Sequence, residues 1–202
     1  MHSTQQKPST QDVAANAQRR SLRSLRTDLI GDRLRLRCPQ ASDGGELHRS
    51  YLSDPACARF LQRSAFVEEA HSVRLLTRLG AALLANREGM FGWVITVGRT
   101  DPPIGLLTCI AEGQAVQIHY GLARSHWGKG LATEAVGLAI QALLECGRFD
   151  RIYTTCAAEH TASRSVLTKC GFELEGIAPR ALLLPALGDA RRDGACYAIE
   201  RR

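Results

Sequence analysis

The chain has 202 residues, a net charge of +6, 45% hydrophobic and 23% charged residues, and seven cysteines. That is material for one substantial core. With no run near the roughly 18 apolar residues of a membrane helix and no apolar secretory leader, it reads as a cytoplasmic protein of the ordinary globular class. The cysteines (38, 57, 109, 146, 156, 170 and 196) never form a CxxC pair and the six histidines show no ligand spacing, so neither a disulfide framework nor a metal is expected.

Residues 1–37 carry eight basic against three acidic side chains, which is most of the net charge. Residues 1–27 are polar and aperiodic, the signature of a disordered basic tail, and 28–202 form the expected folded domain. An RNA-contacting tail competes with a plain solvated extension, and the extension is the preferred reading. Nucleic acid is therefore not expected as a partner of the folded body.

In chain order, DRLRLRC (32–38) alternates arginine and leucine as a half-buried strand does. ASDGGELHRSYLSDP (41–55) predicts a short helix ending before Pro55. Residues 67–86 predict a longer amphipathic helix, with Glu68 and Glu69 suited to its positive end. Strands at 92–99, 104–111 and 115–122 follow, punctuated by Asp101-Pro102-Pro103 and Glu112-Gly113, as an antiparallel meander. The stretch 131–147 predicts a helix apolar nearly all round, hence one buried on a sheet, ended by Gly147. A strand (151–157), a helix (161–171) and strands at 172–178 and 195–201 complete the order, with 179–194 read as loops. The pattern is a mixed α/β domain.

Strand 115–122, a loop, helix 131–147 and strand 151–157 form a crossover that brings the two strands side by side. The helix then opens where the first strand ends, and its unpaired N–H groups and dipole make an anion site. In SHWGKGLATEA (125–135), Gly128 and Gly130 admit a phosphate close to the backbone and Lys129 adds charge. The stretch matches neither the P-loop nor the dinucleotide fingerprint.

The surrounding stretches raise the specificity of this signal. RLRLRCPQASDGGELHRSYLSDP, HYGLARSHWGKGLATEA, EHTASRSVLTKCGFELEG and RRDGACYAIER occur in the order of four motifs of the GCN5-related N-acetyltransferases. The chain resembles that family from about residue 28 to 202, in the branch of the ribosomal-protein alanine acetyltransferases. The resemblance implies the acyl-CoA N-acyltransferase fold: a mixed, mostly antiparallel central sheet with a splayed parallel strand pair and helices on both faces. It further implies direct transfer of acetyl from acetyl-CoA, without a metal, to a primary amine, either a protein N-terminal α-amine or a small-molecule amine. The pyrophosphate falls on Gly128, Lys129, Gly130, Leu131 and Ala132, and the pantetheine arm on Gly121, Leu122 and Ala123.

The chemistry departs from the family pattern at several positions. The strand position where relatives carry a glutamate is Gln117, which is no base. Strand alternation puts Gln117, His119 and Gly121 on one face, and His119 has the pKa of a base near neutrality, though it equally suits a space-filling role. Where many relatives have an acid tyrosine on the 161–171 helix, this chain has Leu167. The branch's alternative acid matches Ser163, which is also a plausible helix cap, and His160 replaces the branch's asparagine beside the cofactor. Arg124 adds charge near the phosphates or is simply a surface arginine, Trp127 packs the loop down, and Glu134 caps or hydrogen-bonds. Cys109 and Cys156 need not be nucleophiles. The alternative class is a non-catalytic acyl-CoA sensor with a lapsed site. Some relatives dimerise, and Ala181–Pro185 is a candidate for an interface or a buried strand.

Overall fold

The computed structural model describes residues 25–85, 89–98 and 101–201. Its elements are β1 (Asp28–Ile30), β2 (Leu34–Arg37), α1 (Gly44–Leu47), α2 (Pro55–Ala58), α3 (Glu69–Ala85), β3 (Met90–Val97), β4 (Pro103–Glu112), β5 (Ala115–Leu122), α4 (Leu131–Glu145), β6 (Arg151–Ala157), α5 (Thr161–Lys169), β7 (Glu173–Leu182) and β8 (Arg192–Glu200). All eight strands share one sheet in the order β1-β2-β3-β4-β5-β6-β8-β7. Every neighbouring pair is antiparallel except β5 and β6. The expected mixed sheet, meander and parallel pair are therefore all present.

Strand alternation sorts the apolar side chains onto two faces. Phe91, Trp93 and Ile95 of β3 and Val116 and Ile118 of β5 pack in one cluster with Leu131, Ala135, Val136, Ala139 and Leu143 of α4. Val94 and Leu106 face the other way, onto Leu47, Tyr51 and Leu52 of the α1 region and Leu76 and Leu79 of α3. Helices thus cover both faces, and α4 is buried as its apolar circumference requires.

The corner after β2 is held by a buried ion pair. Arg37 donates to both carboxylate oxygens of Asp43, at 2.6 and 2.9 Å, and Asp43 is 5% exposed. Asp43 also accepts the Gln40 amide at 2.8 Å. A 3-10 turn (Ala41–Asp43), α1 and a wider π turn (His48–Leu52) then run on as one winding. Pro55 does not merely end this helix, as expected. It begins α2, with Asp54 accepting the Ala56 amide at 2.8 Å, because proline suits a first helical turn where no N–H is needed.

Three further expectations change. The 1–27 tail lies largely outside the described residues, but its last three residues belong to the body: Leu25 is buried in the core and the Arg26 carbonyl accepts the Trp93 indole at 3.1 Å. A strand not separately expected, β1, pairs with β2 around the Gly31 turn. The 179–194 stretch is not all loop, since β7 runs on to Leu182 through a register shift after Ala178. Pro179 is accommodated because β7 is an edge strand, where a missing donor is tolerated. Arg180 takes a φ of 52° there and its amide donates to Asp193. Leu182 and Leu184 are buried and Leu183 is exposed, so Ala181–Pro185 is in part a buried strand end.

Asp43→Ala is expected to leave the half-buried Arg37 without its carboxylate, keeping only the Cys38 carbonyl, and to cost about 1–3 kcal/mol. Urea denaturation of the variant beside the parent, at unchanged m-value, measures it.

Candidate active site

The site begins where β5 and β6 part. They pair only through Ala115↔Arg151, Val116↔Ile152 and Gln117↔Tyr153, and both strands then continue for several residues unpaired with each other. Each arm is supported on its outer side: β5 by β4 as far as Leu122, and β6 by β8 as far as Ala157. At the fork the buried Thr154 hydroxyl donates to the Ile118 carbonyl at 2.8 Å, satisfying the first group that the parting strands leave open. The Ile118 backbone therefore faces β6, and by alternation so do those of Tyr120 and Leu122.

This refines the stretch 121–123. The Ala123 amide donates to Ile104 at 2.7 Å, towards β4. Gly121 turns its carbonyl to β4 as well, where a Cβ on Gly105 would meet it at 2.3 Å. Leu122 faces the opening, its carbonyl accepting the Trp127 indole N–H at 2.7 Å. Trp127 thus packs the loop onto the strand, as expected.

The loop itself is a 3-10 turn (Arg124–His126), extended backbone at Trp127, and two glycines in left-handed conformation, Gly128 and Gly130, each at φ 73°. Gly130 is the N-cap of α4, and no side chain caps it. The amides of the first turn remain open to solvent, as an anion site requires. A Cβ on Gly128 would meet nothing within 4 Å, so the glycine serves the backbone turn and leaves space for a ligand. Lys129 folds its ammonium back onto the Ser125 carbonyl at 2.8 Å.

Arg33, from the β1–β2 turn, fixes this loop and was not foreseen. It donates to the Lys129 carbonyl at 2.9 Å, while Glu134 accepts both its backbone amide (2.8 Å) and its Nε (2.7 Å). Burial alone raises the Glu134 carboxyl, but the Arg33 bonds outweigh it and the net shift is downward. Glu134 is a hydrogen-bonder, as expected. Arg124 contacts Asp54 at 3.5 Å, which ties the loop to the α2 corner.

The chemistry-bearing side chains stand on two faces. Tyr120 shares the α4 face with Ile118, and its hydroxyl lies 3.0 Å from the Ser163 Oγ and 3.2 Å from the Ser163 carbonyl. Burial is the main cause that raises the Tyr120 phenol well above its ordinary value. The helix cap is His160, so the Ser163 hydroxyl is turned to Tyr120. Leu167 is fully buried core. The tyrosine lacking on the helix is thus present on the strand, and the signal was a lone hydroxyl among the apolar even positions of β5.

His119 and Gly121 point to the other face. A Cβ on Gly121 would fall 2.2 Å from the hydroxyl of Tyr51, which closes that side. His119 is half-buried, and burial lowers its pKa below the ordinary 6.5, so the ring is neutral at physiological pH. His119 and Ser163 therefore flank the fork from opposite sides. His160 stacks on Phe60 at 4.1 Å and 16°, joining the loop after α2 to the start of α5, and burial, then Arg59, lowers its pKa. Cys109 is fully buried and its thiol pushed well up, while burial also raises Cys156, so neither is primed as a nucleophile.

A split parallel pair with an uncapped, glycine-bounded helix start beside it defines a protein that holds a phosphate-bearing cosubstrate along a gap in the sheet. The model of the GNAT acetyltransferase domain matches residues 33–173. A curated relative from Bacillus licheniformis, the uncharacterized N-acetyltransferase p20, is 30% identical over 154 residues, covering 74% of this chain and 84% of the relative. Among solved structures, RimJ of Mycobacterium smegmatis, in complex with a CoA disulfide, is 26% identical with a TM-score of 0.70, covering 83% of this chain and 81% of that one. RimL, a ribosomal L7/L12 α-N-protein acetyltransferase in complex with coenzyme A, superposes with a TM-score of 0.76 at 21% identity over 86% of this chain and 98% of its own. The chain belongs to the GNAT acetyltransferase family. It is an acyltransferase, an acetyl-CoA-dependent N-acetyltransferase acting on an amine.

Two measurements check the cradle. Gly130→Glu places a side chain at a left-handed residue, costing about 1–2 kcal/mol, and a negative charge beside the pyrophosphate. Calorimetric titration is expected to show acetyl-CoA affinity falling more than about tenfold. Glu134→Gln weakens the Arg33 clamp. Because the Glu134 carboxyl is lowered on folding, its contribution is present above the ordinary carboxylate range and is lost as pH falls through the lowered value. The variant is expected to melt earlier at neutral pH and to lose part of the parent's acid sensitivity, read by thermal denaturation across pH.

Proposed function

We propose that the chain acetylates a primary α-amine, with His119 as base and Ser163 as proton donor to the leaving sulfur. Acetyl-CoA supplies an activated carbonyl and a thiolate leaving group. The amides from Gly128 to Ala132 hold its pyrophosphate, and the Tyr120 backbone with the Leu122 amide, on the edge of β5 that faces the gap, aligns its pantetheine arm. His119, neutral through burial, takes the proton from the attacking amine on one side of the sheet. An α-amine, with its pKa near 7.7–8.0, asks little of that base, and this suits a site whose glutamate position is Gln117.

On the other side, burial keeps the Tyr120 phenol protonated. Tyr120 donates to the Ser163 carbonyl at 3.2 Å, and the Ser163 hydroxyl, 3.0 Å from the Tyr120 oxygen, turns its hydrogen to the sulfur as the C–S bond breaks. The observation that carries this reading is the Tyr120–Ser163 pair, which crosses the fork and gives the serine a partner other than the helix end. The relatives named for ribosomal-protein α-N-acetylation favour a protein N-terminus as acceptor. The second reading, a sensor that binds acyl-CoA without turnover, rests on the substitutions at Gln117 and His160.

Turnover separates the two. Release of CoA with a panel of amines, N-terminal peptides among them, is expected for the enzyme, whereas a sensor binds acetyl-CoA and releases none. His119→Ala is expected to lower kcat/KM about 100-fold and to remove the acid limb of its pH profile, whose midpoint lies below 6.5. Ser163→Ala is expected to lower kcat by a similar factor with the KM for acetyl-CoA little changed, and Tyr120→Phe to lower kcat less. An unchanged pH profile in His119→Ala would move the base role to solvent.

A further inference from the structure

The segment after α2 turns two arginines towards the fork. Arg63 is half-buried, its guanidinium 4.5 Å from the centre of the Phe66 ring, and Phe66 packs against the cluster that holds Tyr51, whose hydroxyl lies against Gly121. Arg59 lies on the other side, close enough to His160 to bias its protonation. Between them Phe60 stacks on His160 and packs against Ala157, Leu182 and Leu184. Arg63 thus stands beside the Tyr51 corner that meets β5, and Arg59 beside Phe60 and the start of α5. They are far from the phosphate cradle in role: neither lies on the 124–132 loop.

Their charge is not neutralised locally. Among the described residues, neither Arg59 nor Arg63 has a carboxylate within 4.0 Å. The nearby acids are engaged elsewhere. Asp54 caps α2 and meets Arg124, and Glu159 lies 3.7 Å from Arg192. Glu69 turns back towards Gly45 of α1. Arg192, the third cation of this side, has a buried Nε that no described group accepts. Arg63 donates to the Ser64 carbonyl at 2.9 Å and Arg59 lies over the Phe60 ring at 5.4 Å, so both are held in place with no carboxylate to offset their charge. Such guanidinium groups favour an anion with fork geometry and disfavour a cationic ligand.

We propose that the acceptor carries an oxyanion, a carboxylate or a phosphate, close to its reacting amine, and that Arg59 and Arg63 select it. This rests on the proposed acetylation of an α-amine and names the class of amine: an acidic N-terminus or an anionic amino compound, not a polyamine or a polycationic drug. Arg63 is the more committed of the two, being stacked on Phe66 and anchored at the Ser64 carbonyl, so that little side-chain freedom is lost when it binds.

The test is a set of C-terminally amidated peptides of one length, beginning Ala-Asp, Ala-phosphoserine, Ala-Gln and Ala-Lys, assayed by CoA release. The expected result is a kcat/KM at least about tenfold higher for one or both anionic peptides than for Ala-Gln, about 1.4 kcal/mol, with Ala-Lys lowest. Arg63→Gln is expected to bring that ratio near one, while Arg63→Lys keeps part of it and controls for a folding defect. Equal rates across the set, or a preference for Ala-Lys, would overturn the anion proposal and leave the acetylation of α-amines standing. Release of CoA with none of the peptides would count against the α-amine reading instead. In that case calorimetry of the Ala-Asp peptide with CoA present decides. Binding that weakens in Arg63→Gln supports the anion site, and binding equal to that of Ala-Gln overturns it.

Discussion

The structure turns on a single interruption: a parallel strand pair that stops pairing after three residues. A gap in a sheet is costly, because backbone N–H and C=O groups that lose their partners must find others. Here the outer neighbours keep the arms straight. β5 is paired with β4 along its whole length, and β6 with β8 along all of its own. The Thr154 hydroxyl caps the first exposed carbonyl at the fork. Further along the gap the Trp127 indole takes the Leu122 carbonyl, and this defect in the sheet is the slot proposed for the cosubstrate.

The helix start beside the slot depends on a second set of contacts that reach far along the chain. Arg33 comes from a turn nearly one hundred residues earlier, and it holds the loop carbonyl at Lys129 while Glu134 holds it in turn. Trp127 fastens the same loop to β5 through Leu122. Open amides bind an anion well only if they are already aimed, since reorganisation on binding subtracts from affinity. These contacts supply that rigidity without occupying the amides.

Much of this was legible in the sequence, and the reasons differ by element. The glycine pair, the apolar helix and the two flanking strands announce themselves through local rules: positive φ, helical period and β-branched runs. Arg33 did not, because its partner is distant in sequence and a turn arginine looks like any surface charge. Tyr120 is hidden in the sequence because a hydroxyl among apolar strand positions reads as core until Ser163 is seen beside it. The end of β7 is hidden because a proline-bearing stretch reads as loop, whereas at a sheet edge the missing donor is tolerated. The place of Arg59 beside the start of α5 shows only through the stack of Phe60 on His160.

Alternation along β5 has a further consequence for how two substrates share one slot. Even positions face α4 and carry Tyr120 towards Ser163, and odd positions face α1 and carry His119 and Gly121. A base and an acid on the same face would compete for one proton and for the same space. In the proposed reaction His119 and Ser163, set on opposite faces, meet the reacting carbonyl from two sides, with the amine entering on one side and the sulfur leaving on the other. The Phe60–His160 stack joins the α2 loop to the start of α5, so in the proposed reaction the α2–α3 segment shapes the side where the amine enters. That segment meets the cradle arm through Arg124 with Asp54 at 3.5 Å and through the Cys57 thiol on the Leu122 carbonyl at 3.6 Å, so a change of acceptor specificity there reaches the cradle through weak contacts.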